Sequence, residues 1–218
     1  MQKMKTLKVR CSSIGDIVAK AKGGRTISVG AETFVKKWLI QEVTGKRTLD
    51  VSTPALKKGI IQEDEAFYFL CGLDNRMYIK NDKRIENDYL KGEYDCLDGD
   101  TVIDIKCPWD AYTMPYFDTE PNKGYWCQLQ GYMALTGAKH ARLIYLLMDA
   151  PEEMIEQAER KAAFAGLDVE AVRKNMTFED VEDKWRLKEF RFDRDDDFIK
   201  ALYERIDLMR EYATTLIP

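Results

Sequence analysis

Histidine is almost missing from the chain: His140 stands alone among 218 residues. That scarcity argues against a histidine-based mechanism and against an imidazole-rich metal site. Cysteine is sparse as well. Cys11, Cys71, Cys96, Cys107 and Cys127 are odd in number and never spaced CxxC. They speak against a disulfide scaffold, a zinc knuckle and a four-cysteine iron–sulfur site, and they fit a reducing cytoplasm. No apolar run approaches the roughly 20 residues of a membrane helix. The opening stretch MQKMKTLKVRCSS has no apolar segment of the secretory kind. Without an internal repeat, a low-complexity tract or a Pro/Gly-rich linker, a single domain over residues 1–218 is the expectation.

Hydrophobic residues make up 45% of the chain and charged residues 33%, a globular composition. The net charge of −4 does not by itself point to nucleic acid, but the charge is uneven. Residues 1–25 carry seven Lys/Arg against the single acid Asp16, whereas residues 150–218 carry twelve Lys/Arg against eighteen Asp/Glu. The first stretch is expected to be a basic arm, either a local phosphate contact or a solvated tail.

Periodicity predicts a helix over 31–44, with Phe34, Trp38 and Gln41 on one stripe and Gly45 as its stop, and a second helix over 55–71. Residues 76–80, 89–97 and 101–107 read as strands, the last two joined at Asp98-Gly99, a hairpin turn signal. A helix over 125–136 ends at Gly137, and the apolar run 141–148 reads as a strand buried on both faces. Residues 151–184 are charged and helical, 186–192 alternate as a strand, and 195–215 form a closing helix. The sum is an α/β protein, a mixed sheet with helices on its faces.

Chemistry concentrates on the strand 101–107. Alternation puts Val102, Asp104 and Lys106 on one face. Across the hairpin, Asp95 comes within reach of the same ion as Asp104. In the helix 55–71, Glu63 falls on the stripe of Leu56, Ile60, Phe67 and Leu70, where a carboxylate needs a partner or a metal. Carboxylates of this kind suit Mg²⁺, a hard cation that favours oxygen ligands. Such a site can hydrolyse a phosphodiester, with Lys106 orienting or deprotonating the attacking water or neutralising developing charge. Gln128 and Tyr132, four apart, share a helix face that can lie over the sheet edge and touch Lys106 or the phosphate. The loop 108–124 holds Trp109, Tyr112, Met114, Tyr116 and Phe117. These aromatics suit either a wedge that stacks on terminal base pairs or plain loop packing and a subunit interface.

The series Gly59-x-x-x-Glu63, Gly92-x-x-Asp95, Asp104-x-Lys106-Cys107-Pro108 and Gln128-x-x-x-Tyr132 resembles the PD-(D/E)XK nuclease superfamily. More narrowly, it is similar to its lambda-exonuclease-like, or YqaJ-type viral recombinase, group of phage-type alkaline exonucleases. The stretches KKGIIQEDEAFYF, GEYDCLDGDTVIDIKCPW and YWCQLQGYMALTG carry the likeness, which spans roughly 9–148 and resumes at 186–215. The resemblance implies a restriction-endonuclease-like central mixed β-sheet flanked by α-helices. It implies Mg²⁺-dependent exonuclease action, with Mn²⁺ as a substitute and one or two ions per site. One strand of linear duplex DNA would be digested 5′-to-3′, leaving 3′ single strand for recombination by strand annealing. Double-stranded DNA ends, a single-strand annealing protein and a homo-oligomer, a trimeric ring among the forms, are the implied partners. The alternatives are an endonuclease on the same active site, structure-specific or restriction-like, and a non-catalytic DNA-binding module.

By motif position, Glu63, Asp95, Asp104 and the backbone carbonyl of Ile105 are implied as metal ligands, Lys106 as the catalytic lysine and Gln128 as a supporting residue. The resemblance implies Arg10, Ser12 and Ser13 as DNA contacts, and the aromatic loop and the shared helix face add Trp109 and Tyr132 as expected ones. Two positions depart from the pattern: Asp104 replaces a common Glu, and Glu93 stands where relatives carry a phosphate-binding Ser. The helical segment 151–184 lies outside the likeness and is expected to be a lid, an oligomer contact or an insertion.

Overall fold

A computed structural model describes residues 5–46 and 53–217. Its centre is a four-stranded mixed sheet whose strands lie side by side in chain order. Strands β4 (Cys96–Asp98) and β5 (Thr101–Lys106) form the hairpin, and Gly99 takes the positive φ of 61° that the tight turn requires. Helix α4 (Lys123–Thr136) crosses over from β5 to β6 (His140–Leu146), which runs parallel to β5. Asn122 caps the start of α4 by accepting from the Gly124 and Tyr125 amides, and Gly137 ends it at φ 78°. Strand β7 (Leu187–Asp193) adds antiparallel to β6.

A smaller sheet, β1-β3-β2, is built from β1 (Val9–Arg10), β2 (Ile85–Glu86) and β3 (Leu90–Gly92). The stretch 89–97, expected as one strand, is therefore two: β3 and β4 belong to different sheets. The stretch 76–80 forms only a single bridge, Lys80 to Cys96, rather than a strand.

The two faces of the central sheet bury two clusters. Val102, Ala141, Leu143, Tyr145 and Phe190 pack against α4, against α2 (Val29–Thr44) and against α8 (Asp196–Thr215). Ile103, Ile144 and Leu146 pack against Ala66, Phe67 and Leu70 of α3 (Pro54–Leu73). On α2 the buried stripe is Ala31, Val35 and Leu39; Phe34 and Trp38 flank it half-buried.

The basic stretch at the chain start is not a solvated arm in its described part. Leu7, Val9, Cys11, Ile14 and Ile17 are core residues, placed by β1, a 3-10 turn (Cys11–Ser13) and α1 (Ile14–Ile17). Close approach there depends on Gly92, where a Cβ would stand 2.6 Å from Tyr132 Cε1 and 3.0 Å from Cys11 Sγ.

The segment 151–184 contains α5 (Glu152–Phe164), α6 (Val169–Lys174) and α7 (Asp183–Arg186). Arg173 pairs with Glu152 and Glu159 at 2.6 Å each, holding α6 on α5. Phe178, in the connection from α6 to α7, is buried in the main core. No helix among the described residues is long and apolar enough to cross a membrane.

Candidate active site

A cavity of about 770 Å³ opens between α3, the end of β5, the N-terminal half of α4 and the loop 107–122. Glu63, Lys80, Asp95, Ile105, Lys106, Trp109, Tyr125 and Gln128 are among its lining. Register explains why these residues meet. Cys96 faces Ile103 across the hairpin, so Asp95 lies beside Asp104, and its Oδ2 accepts the Ile105 amide at 2.6 Å. Asp104 shares the α4 face with Val102 and is 1% exposed. Its Oδ2 faces Lys106 Nζ at 2.6 Å, and its Oδ1 accepts from Gln128 Nε2 at 3.4 Å. Lys106 Nζ also sits over the Tyr125 ring, 4.9 Å from its centroid.

The electrostatics follow from burial and crowding. Burial, then the negative charge of Asp104, pushes the Asp95 carboxyl up to about 7, against the pull of Lys106 and the Ile105 amide. Burial works against the Lys106 ammonium, but Asp104 and Asp95 outweigh it and hold its pKa above the ordinary lysine value. Two acids and one ammonium in a half-closed pocket leave a surplus of negative oxygen. Asp104 Oδ2 is buried, and the Lys106 ammonium is its close partner. This donor set, all oxygen and short of positive charge, fits a hard divalent cation.

Glu63 stands differently from its sequence expectation. The stripe divides: Phe67 and Leu70 are core as expected, whereas Leu56, Ile60 and Glu63, earlier in the helix, face the open cavity, Leu56 and Ile60 being 50% and 63% exposed. Glu63 pairs with Lys80 at 2.9 Å, and Lys80 also pairs with Asp64. Among the described residues no three His, Cys, Asp or Glu side chains already converge at metal-ligand spacing. Glu63 thus borders the Asp95–Asp104 pair across the cavity, held by a lysine that a cation would have to displace.

The expected DNA contacts divide. Ser12 and Trp109 line the cavity. Arg10 is exposed on the small sheet and Ser13 half-buried, and neither is in the cavity wall. Tyr132 is a correction: it is 4% exposed, does not line the cavity, and accepts Gln128 Nε2 at 2.9 Å. It orients Gln128 from behind rather than meeting a phosphate. In the aromatic loop, Met114 is core, Tyr116 packs edge-on against Trp185 at 6.1 Å, and Tyr112 and Phe117 are almost fully exposed. Packing and free aromatic surface therefore coexist in the one loop.

Tyr125 and Lys80 were missed at the sequence level. Tyr125 had a findable signal, since it lies three residues before Gln128 on the same helical face. Lys80 had none, because its placement comes from the bridge to Cys96.

No protein-family model and no curated protein sequence matches the chain. Solved structures do. A phage-related exonuclease from Haemophilus somnus 129PT superposes with a TM-score of 0.82 at 24% identity, over 97% of this chain and 96% of that one. An alkaline exonuclease from Laribacter hongkongensis superposes with a TM-score of 0.67 at 18% identity, over 95% and 88% of the two chains. The same enzyme in complex with dAMP gives 0.67 at 19% identity. The expected architecture, a central mixed sheet between helices, is thus the one the chain adopts, and its fold is that of these solved exonucleases.

Proposed function

We propose that the chain is a metal-dependent deoxyribonuclease of the phage-type exonuclease group, digesting one strand of linear duplex DNA. The observation that carries this is the pair Asp95 and Lys106 in the cavity lining with buried Asp104 against Lys106, and Gln128 hydrogen-bonded to Asp104. The fold it shares with two solved exonucleases supports the same reading.

Asp95, Asp104 and the Ile105 carbonyl would hold Mg²⁺ or Mn²⁺, with Glu63 joining once released from Lys80. The bound ion supplies Lewis-acid stabilisation of the phosphodiester and a lowered pKa for water. The protein's own groups do the rest. Lys106, its charge secured by Asp104, presents an ammonium to the scissile phosphate region and offsets charge as it develops there. Gln128, fixed by Tyr132, keeps Asp104 in one rotamer. Tyr125 covers one side of Lys106 and limits water around it. Ser12 and Trp109 at the cavity wall are the nearest candidates to touch the DNA strand. Digestion running 5′-to-3′, hand-over of the 3′ strand to an annealing protein, and a ring-forming homo-oligomer belong to this proposal.

The test compares linear duplex with covalently closed circular duplex, each with Mg²⁺ and with EDTA. Linear duplex should shorten only with Mg²⁺, and circles should survive. Cutting of closed circles would replace the exonuclease by an endonuclease; no cutting of either would leave a DNA-binding module.

A further inference from the structure

Lys58 is a fully buried lysine, 0% exposed, outside the cluster just described. It lies on α3 but on the side of the helix away from Leu56 and Glu63, one turn before buried Gln62. Its Nζ donates to two backbone carbonyls, Pro108 at 3.1 Å and Trp109 at 3.0 Å. Its third side meets the ring of Phe178, 5.5 Å from the centroid. Burial lowers its pKa to about 8, against the opposing charges of Cys107, Asp149 and Asp110.

Those two carbonyls begin the loop that leaves the catalytic strand two residues after Lys106. The same loop forms one wall of the cavity through Trp109, Thr113, Pro115 and Asp118. Helix α3 forms another wall through Leu56, Ile60 and Glu63. Lys58 is therefore a strap between two walls of one cavity. A buried amine with two carbonyl acceptors is costly to misplace, so the strap sets one distance and resists others. The connection from α6 to α7 closes the strap from outside, since Phe178 is itself anchored by its amide on Asp149 Oδ1 at 2.7 Å.

We infer that Lys58 is a positioning residue: it fixes the opening of the cavity by tying the helix that bears Glu63 to the loop that follows Lys106. The segment 151–184 takes part by seating Phe178 against that ammonium. This deepens the proposed nuclease function and rests on it for its kinetic readout only.

The test is Lys58→Met, which keeps the length and apolar body of the side chain but leaves both carbonyls without a donor. Hydrogen exchange should show loss of protection in residues 109–118 of the variant, with β5, β6 and α4 protected as in the wild type. The kcat on linear duplex, normalised to folded protein, should fall at least tenfold, with KM changed less than threefold. A merely stabilising lysine would lower the melting temperature and leave kcat per folded molecule intact. Retention of kcat within twofold, or unchanged exchange in 109–118, overturns the inference. If the wild type digests no DNA, the nuclease proposal fails, and the exchange experiment alone still decides whether Lys58 holds the loop.

Discussion

Replacing Asp95 by asparagine should strengthen the metal-free fold while it destroys the site. In the folded protein the Asp95 carboxyl titrates at about 7 rather than 3.8, first because of burial and next because of Asp104. A carboxyl whose folded pKa is raised holds its proton longer in the folded state than in the unfolded one. Folding stability then declines as pH climbs from about 4 to about 7 and stays at the lower level above that window. About three units at ~1.4 kcal/mol each set a ceiling of ~4 kcal/mol. Sharing of protons with Asp104 spreads that shift over the pair and reduces the expected gain to ~1–2 kcal/mol. Asparagine removes the charge and keeps an oxygen for the Ile105 amide. In a domain of this size each 1 kcal/mol moves Tm by about 2–4 °C. Asp95→Asn should therefore melt about 2–8 °C above the wild type at pH 8 in EDTA and close to it at pH 4, followed by circular dichroism. Adding Mn²⁺ at pH 8 should raise the wild-type Tm but not the variant's, and digestion of linear duplex should cease. A variant that melts lower than wild type at pH 8, or by the same offset at both pH values, would refute the charge crowding. A variant that still digests DNA would remove Asp95 from the site.

Lys106→Met should abolish cleavage while duplex affinity, read by fluorescence anisotropy, stays within threefold; near-normal turnover would refute the role given to the ammonium. Gly92→Ala forces a Cβ to 2.6 Å from Tyr132 and should cost ~1–3 kcal/mol and slow digestion by displacing the residue that orients Gln128. Gly72→Ala, with nothing near its Cβ, is the control and should melt no lower than wild type. Arg142 bonds Glu189 at 2.6 Å, Asp74 at 2.9 Å and the Tyr78 hydroxyl at 2.9 Å in a partly buried network on the far side of β6. Arg142→Met should lose ~1–3 kcal/mol of stability in denaturant titration, with kcat per folded molecule unchanged; a neutral result would show that the network adds nothing.

Features resting on local spacing were legible from the residues alone. The alternation of Val102, Asp104 and Lys106, the Asp98-Gly99 turn and the end of α4 at Gly137 follow from strand period and backbone sterics within a few residues. The juxtaposition of Asp95 with Asp104 follows from the hairpin. Each of these depends on neighbours in sequence, and each stands as read.

What the tertiary structure decided is which way a patterned face turns. In α3 the apolar spacing of Leu56, Ile60, Phe67 and Leu70 is plain, yet only its second half is core; Leu56, Ile60 and Glu63 border the cavity while Lys58 and Gln62 go inside. The inversion is physical: the Pro108 and Trp109 carbonyls, some fifty residues away, satisfy the ammonium, and no local pattern records where distant carbonyls will be. The same holds for Arg142 inside an apolar-looking strand, whose acids come from Asp74 and Glu189. It holds too for the basic start of the chain, whose charges were visible but whose Leu7, Val9 and Ile14 are core only because β3 and α4 close over them. Short-range sterics and periodicity wrote the strand that carries Asp104 and Lys106. Long-range partners, which alone can make a buried charge tolerable, settled everything that surrounds it.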